Sequence, residues 1–243
     1  MKYYETSFLT NKLKSNTKNY NNKNGRNNKG RITAWNKGIK RCRLYRNIDL
    51  YRKSTNGIVV GLEYDPNRKA FLARIFNPDT KINNYILAPT NLKGGQIVRS
   101  NSEQSENGYS QKLRYVPTGR LIYNIPLKVG QIGQTIRAPG TFARLIKKNE
   151  KAAQIQLKSG TCKWFHIETI VSLGVVSNEQ SKFNKLKKAG HSIWIGKKPV
   201  VRGVAMNPID HPHGGGEGKS SGGRPSVTPW GKPTKGKPTR YNK

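Results

Sequence analysis

The sequence predicts a mainly β protein with a folded centre of small antiparallel barrels and long, extended, basic arms at both ends. Three observations carry this prediction. Short apolar or alternating runs recur at roughly ten-residue spacing through the centre, which is the pattern of small barrels or sandwiches rather than of βαβ units. Positive charge is densest outside that centre. The stretch from Val200 to Trp230, VVRGVAMNPIDHPHGGGEGKSSGGRPSVTPW, has neither the 3.6-residue period of a helix nor the alternation of a strand.

The central runs are LYRNIDLY, GIVVGLEY, AFLARIF, NYILA and GQIVR, then GRLIYNI, TFARLI, AAQIQL, TCKWFHI and TIVSL. Turn residues punctuate them: Asp65-Pro66-Asn67, Asn77-Pro78-Asp79, Gly94-Gly95 and Ser159-Gly160. The polar insert from Ser100 to Gln111 is the expected loop between two barrels. The organisation read from the sequence is a basic N-terminal arm (1–39), a first barrel (40–115), a second barrel (116–185) and a Gly/Pro-rich basic C-terminal arm (186–243). Residues 179–189, EQSKFNKLKKA, form the one expected helix, capped by Gly190. Trp164 sits in an alternating run and is expected in the core.

Of 243 residues, 33% are hydrophobic and the mean hydropathy is -0.78, so the core is modest. Lysine and arginine total 46 against 12 aspartates and glutamates, a net charge of +34. Such a chain repels itself, and the imbalance calls for a polyanionic partner. No apolar run is long enough to span a bilayer and no basic amphipathic helix is present to lie on one, so nucleic acid is the expected partner and membrane insertion is not. The N-terminus lacks the apolar core of a secretory signal and the arginine richness of a transit peptide. Cys42 and Cys162 form no CxxC pair, which argues against a zinc site and leaves them as incidental thiols of a reduced compartment. Abundant Lys, Asn, Ile and Tyr are the residues of AT-rich codons.

In residues 1–53, nine lysines and six arginines stand against Glu5 and Asp49, a net of +13. The Asn-rich tract from Asn16 to Gly38 has no periodicity and should have no fold alone. Its Arg26, Lys29 and Arg31 suit phosphate neutralisation, and Asn27 and Asn28 suit hydrogen bonding to sugar or base edges. From Leu186 onward nine lysines and three arginines face only Asp210 and Glu217, a net of +10. The glycine- and proline-rich stretch there is expected to take its shape from an external surface, with Arg202, Lys219, Arg224, Lys232, Lys235 and Lys237 facing a polyanion.

One constellation invites an enzymatic reading: His211-Pro212-His213 with Asp210 and Glu217, which offers imidazoles and carboxylates to a metal or to acid–base chemistry. The alternative to nucleic-acid binding is therefore a metal-dependent hydrolase or transferase using His211, His213 and Glu217. Against it, the histidines lie two apart on a loop and no third ligand is preorganised. A third reading is a free single-stranded-nucleic-acid binder using the first barrel. The glycine clusters lack the lysine ending of a nucleotide-phosphate loop and the GxGxxG spacing. His166 and His191 stand alone. Trp35, Trp194 and Trp230 lie in or beside the arms, where they either stack on bases or anchor the arm.

MNPIDHPHGGGEGK (Met206 to Lys219) followed by VTPWGKPTKGKPTR (Val227 to Arg240) closely resembles the universal large-subunit ribosomal protein L-two family. GRNNKGRIT, LEYDPNR, YILAP and KKPVVRGVAMNP follow the family's order across most of the chain. The resemblance implies an OB-like barrel followed by an SH3-like barrel. It also implies a non-enzymatic role as a structural constituent of the large ribosomal subunit, with both arms threading into ribosomal RNA near the peptidyl-transferase region. The partners it implies are large-subunit rRNA and other large-subunit ribosomal proteins. It implies no small-molecule substrate and no cofactor beyond Mg2+ associated with the RNA. Carried onto this chain, the RNA-binding residues are Arg26, Asn27, Asn28, Lys29 and Arg31, then Arg202, Asn207, His211, His213, Gly214, Gly215, Gly216, Lys219, Arg224, Trp230, Lys232 and Lys235. His211 is carried over as a functionally sensitive contact, not as a general base. The chain departs from the family pattern at NKGIKRCRLYR, at KVGQIGQTIRAPG and after Asn242-Lys243. Those departures, the coding style and the N-terminus point to a mitochondrion-encoded member acting in the matrix, with a plastid or the bacterial cytoplasm as the alternative.

Overall fold

The computed structural model describes residues 12–19, 23–38, 43–52, 56–218 and 220–236. They fall into two compact units. One is drawn from residues 12–19 and the described part of 43–186, the other from 23–38 and the described part of 187–236. The first unit is almost wholly β, an OB-like barrel followed by an SH3-like barrel.

The OB-like barrel is a four-stranded antiparallel sheet in the order β5-β4-β3-β6. Its strands are β3 (Gly57–Glu63), β4 (Leu72–Asn77), β5 (Ile82–Leu87) and β6 (Ile97–Val98). Ahead of them, β1 (Thr17–Asn19) and β2 (Leu44–Arg46) pair with each other. Along β3, Val59 faces inward while Ile58 and Val60 face outward, as the two-residue period of a strand requires. A register shift after Val59 breaks the alternation and buries Leu62 and Glu63 together. The expected turn residues act as expected: the Asp65 carboxylate accepts from the Asn67 amide at 2.9 Å, and the Asn77 side chain from Asp79 at 2.9 Å.

The SH3-like barrel is a six-stranded sheet in the order β11-β10-β9-β8-β12-β7. Its strands are β7 (Ser110–Lys112), β8 (Leu121–Tyr123), β9 (Ala143–Lys148), β10 (Ala152–Leu157), β11 (Cys162–His166) and β12 (Ile170–Leu173). Leu113, Ile122, Leu145, Ile155, Phe165 and Leu173 are among the residues of its core. β7 pairs with β12, so this sheet recruits residues upstream of position 116, and the polar insert ends as a strand rather than as loop.

A third apolar cluster of Leu72, Tyr85, Leu87, Tyr123 and Val176 joins the two barrels, with Leu13 and Ile48 packed against it. Polar bonds reinforce the seam. The Tyr123 hydroxyl donates to the Leu87 carbonyl at 3.0 Å, the Thr90 amide to Val175 at 2.7 Å, and Arg52 Nη2 to the Gly108 carbonyl at 2.9 Å. Besides Arg52, buried charges gather in one cluster of the barrel unit. Glu63 meets Arg74 at 2.6 Å and Arg46 at 3.6 Å, and accepts from the Tyr85 hydroxyl at 2.6 Å. Asp65 meets Arg68 at 2.7 Å and Arg46 at 3.7 Å. The Tyr85 oxygen in turn accepts from the Leu13 amide at 2.9 Å, which ties the segment before β1 to the barrel.

Two expectations are corrected. The helix expected at 179–189 is absent: Glu179–Lys182 is one 3-10 turn, and the α-helix, α1, starts later and spans Ala189–Trp194, so Gly190 lies inside it rather than capping its predecessor. Phe183 and Leu186 both remain exposed, so the segment has no apolar face to bury. Lys182, Lys185 and Lys188 would also repel at i,i+3 spacing along a helix. Trp164 is not core. It is adjacent to Phe165 on β11, only one of the two can face inward, and Phe165 does. Trp164 is left 51% exposed, with the Lys147 ammonium 5.5 Å from its ring centre.

Burial pushes the Tyr123 hydroxyl up to about 12, only partly opposed by the Arg52 charge. The folded chain therefore holds this proton more tightly than the unfolded chain. That contribution is fully present below about pH 10 and is lost as pH rises through about 12, amounting to on the order of 2–3 kcal/mol. In urea unfolding of the full chain between pH 9 and 12, Tyr123→Phe is expected to cost about 1 kcal/mol at neutral pH for the lost bond to Leu87 and to flatten the alkaline fall. An unchanged alkaline slope would place the buried proton elsewhere.

Candidate nucleic-acid interface

The second unit contains most of the residues singled out for RNA contact. It has little regular structure, α1 and a 3-10 turn at Gly203–Ala205 apart, yet its loops are closed by their own backbone. This departs from the expectation that the glycine-rich stretch has no shape of its own. The amides of Asp210 and His211 donate to the Asn207 carbonyl at 3.0 and 3.3 Å, Gly214 donates to His211 at 2.8 Å, and Gly215 donates to Met206 at 3.1 Å. Two glycines are required by contact. A Cβ at Gly203 would overlap the His211 ring, and one at Gly214 would overlap the Asn207 carbonyl.

His211 is the internal post of this loop. It is only 7% exposed, whereas Ile209 and Asp210 beside it face outward. Its Nδ1 accepts from the His213 amide at 3.0 Å, and its ring lies 4.8 Å from that of His213. His213 Nε2 accepts from the Val227 amide at 3.2 Å. A neutral imidazole has one lone-pair nitrogen and one N–H. The hydrogen bonds assign the lone pair of each ring to a backbone amide, leaving Nε2–H of His211 and Nδ1–H of His213 as donors. Neither ring then has a lone pair free for a metal ion or for abstracting a proton. Among the described residues no group of three or more His, Cys, Asp or Glu side chains is arranged to hold a metal, and Glu217 is exposed.

The N-terminal loop is built the same way. The amides of Thr33 and Ala34 converge on the Gly25 carbonyl at 2.9 and 3.0 Å, and Arg26 bridges to Ile32. The Asn27 side-chain oxygen accepts from the amides of Lys29 and Arg31, both at 3.0 Å, so it shapes the loop and only its amide nitrogen is left for a partner. Arg26 Nη1 donates to the Gly30 carbonyl at 3.0 Å. This segment joins the C-terminal arm: Gly38 donates to Gly196 at 2.9 Å, Lys198 to Asn36 at 3.0 Å, and Lys37 bridges to Lys197.

Arg26, Asn28, Lys29, Arg31, Arg202, Asn207, Gly216, Arg224, Trp230, Lys232 and Lys235 are exposed. Asn27, His213, Gly214 and Gly215 are half-buried, and Lys219 lies outside the described residues. Sequence reading singled out both Trp35 and Trp230 but did not pair them. The Trp35 and Trp230 rings meet at 5.2 Å with planes at 76°. No spacing rule could have paired residues from opposite ends of the chain.

Two β-barrels with a separate unit of cationic, hydrogen-bonded loops define a nucleic-acid-binding protein. Residues 13–100 match the family described as Ribosomal Proteins L2, RNA binding N-terminal domain, and residues 106–231 match Ribosomal Proteins L2, C-terminal domain. The chain is 49% identical over 234 residues to a protein of Rickettsia bellii (strain OSU 85-389) named large ribosomal subunit protein uL2, covering 95% of this chain and 85% of that protein. It is 48% identical over 227 residues to large ribosomal subunit protein uL2m of Reclinomonas americana, covering 90% and 82%. The chain belongs to the L2 family of ribosomal proteins, whose members are structural components rather than enzymes.

If the His211 ring closes the loop, His211→Ala in the full chain should speed hydrogen exchange at the Gly214 and Gly215 amides by roughly tenfold. Protection in β4 and β10 should not change. Gly203→Ala should do the same by displacing the ring. Unaltered exchange at Gly214 and Gly215 in both variants would show that the loop is held by something else.

Proposed function

We propose that this protein is a structural constituent of the large ribosomal subunit that binds large-subunit rRNA and supports subunit assembly around the peptidyl-transferase region. The observation that carries the reading is the distribution of charge. Glu63 and Asp65 are withdrawn into buried ion pairs, and Glu168 is paired with Lys112 at 2.7 Å and Arg114 at 3.2 Å. Arg26, Lys29, Arg31, Arg202, Arg224, Lys232 and Lys235 stand exposed on the loop unit. The family match and the names of its relatives support the same reading.

In this account the exposed cations neutralise phosphates, and the tight Gly203–Gly215 loop lets backbone approach folded RNA where side chains would not fit. His211 and His213 act as neutral donors and shape-makers, not as proton acceptors. Other large-subunit proteins are the remaining partners. Mg2+ belongs to the RNA, and the protein holds no cofactor of its own. Among the described residues no helix is long and apolar enough to cross a membrane. We place the protein in the mitochondrial matrix, supported by the likeness to the Reclinomonas uL2m and by the AT-rich coding style. The Rickettsia relatives support the bacterial alternative, and fractionation of the source cells separates the two.

Binding of the full chain to large-subunit rRNA should weaken about a thousandfold or more between 50 and 200 mM salt, because at least seven exposed cations displace counterions. Arg224→Ala and Lys232→Ala should each reduce the log–log salt slope by roughly one. A salt-insensitive affinity would remove the electrostatic basis of the proposal.

A further inference from the structure

Trp35 and Trp230 are each presented on a rigid turn. Trp35 is framed by the Ala34 amide bonded to Gly25 and the Asn36 carbonyl bonded to Lys198. Trp230 sits at the tip of a hairpin in which Thr228 donates to Lys232 at 2.8 Å, Gly231 donates to Thr228 at 2.9 Å and Val227 bridges to Pro233. The hairpin base is fixed further by the Thr234 hydroxyl on the Ser226 carbonyl at 3.0 Å and by the Val227 amide on His213. The indoles meet edge to face, but Trp35 remains 53% and Trp230 67% exposed. Two aromatics brought together only to fasten the arms would bury most of their surface, since burial is where their stabilisation lies. Here rigid turns hold two large π-surfaces at a steep angle to each other and open to solvent.

The surroundings identify the occupant. Neither residues 23–38 nor residues 224–236 contain an aspartate or glutamate, whereas they carry Lys23, Arg26, Lys29, Arg31, Lys37, Arg224, Lys232 and Lys235. An exposed aromatic pair on two loops that carry cations and no carboxylate fits an anionic ligand with π-faces. Bases inside an RNA helix are already stacked on their neighbours, so the fitting element is an unpaired base.

We propose that Trp35 and Trp230 together form a receptacle for a single unpaired RNA base, assembled only when the N-terminal and C-terminal loops come together. The inference rests on the RNA-binding reading above and adds a ligand element and a residue, Trp35, to it. The base stacks on the exposed indole surface while Lys37 and Lys232, each two residues from an indole, neutralise the flanking phosphates.

The test compares fluorescein-labelled oligoadenylate of 12 nucleotides with an abasic ribose-phosphate strand of the same length, titrated with the full chain at fixed salt. The wild-type chain should bind the oligoadenylate more tightly. Trp35→Ala and Trp230→Ala should each weaken oligoadenylate binding by about 5- to 150-fold, the range of one lost stacking contact, and leave the abasic strand within about twofold. The double variant should lose little more than either single one, because both rings serve one base. Trp230→Phe, which keeps an aromatic face, should retain most of the affinity. Equal losses on both strands, or no preference of the wild-type chain for bases, would overturn the receptacle and leave the pair as a fastening. The RNA-binding reading fails separately, if neither strand shows salt-dependent binding to the wild-type chain.

Discussion

The imbalance between 46 cationic and 12 anionic side chains is the constraint on which the rest of this protein depends. Two carboxylates of the barrel unit are buried where they do most for the fold. Glu63 and Asp65 gather Arg46, Arg68 and Arg74 into one buried cluster, and Arg46 brings with it β2 and, through pairing, β1. Tyr85 extends the same cluster to Leu13. Removing either acid would take a counter-charge from a cluster of largely buried guanidinium groups, which costs more than losing a surface pair. With only 12 acids in the chain and two of them buried in this cluster, little is left to offset the cations of its loops, and their self-repulsion calls for an external polyanion.

The loop unit shows how a segment with almost no core acquires shape. Its main-chain amides are satisfied locally, at Gly25, Asn207, Met206 and Thr228, and the two histidines serve as acceptors in place of missing secondary structure. The same bonds that give the loop its form remove the imidazole lone pairs from chemistry. The features that make His211 and His213 look like a metal or acid–base site in the sequence are therefore what exclude them from that role in the structure. What they contribute is a closely packed turn held by ring-to-amide hydrogen bonds.

Much of the fold was legible because strands obey a two-residue period and turns use Asp, Asn, Pro and Gly for stated reasons. All ten apolar runs read from the sequence contain a strand. The strands that escaped, β1 and β7, are three residues each and polar, and depend on pairing with distant partners rather than on pattern. The helix at 179–189 was misread because lysine-rich composition resembles a helix terminus, while the missing apolar face was given too little weight. Trp164 was misread because alternation names two faces without saying which is inside; adjacent Phe165 decides it. At the site, the cations and glycines were legible as types. The burial of His211, the capping role of Asn27 and the Trp35–Trp230 pair arise from contacts that no local window contains.

The most direct test of the account is sedimentation of a lysate of the source cells in magnesium and moderate salt, following this protein through the gradient. The account predicts that it migrates with large subunits and whole ribosomes, with almost none near 27.3 kDa. A predominantly free pool would contradict it, because a chain of this charge would then persist without a polyanionic partner.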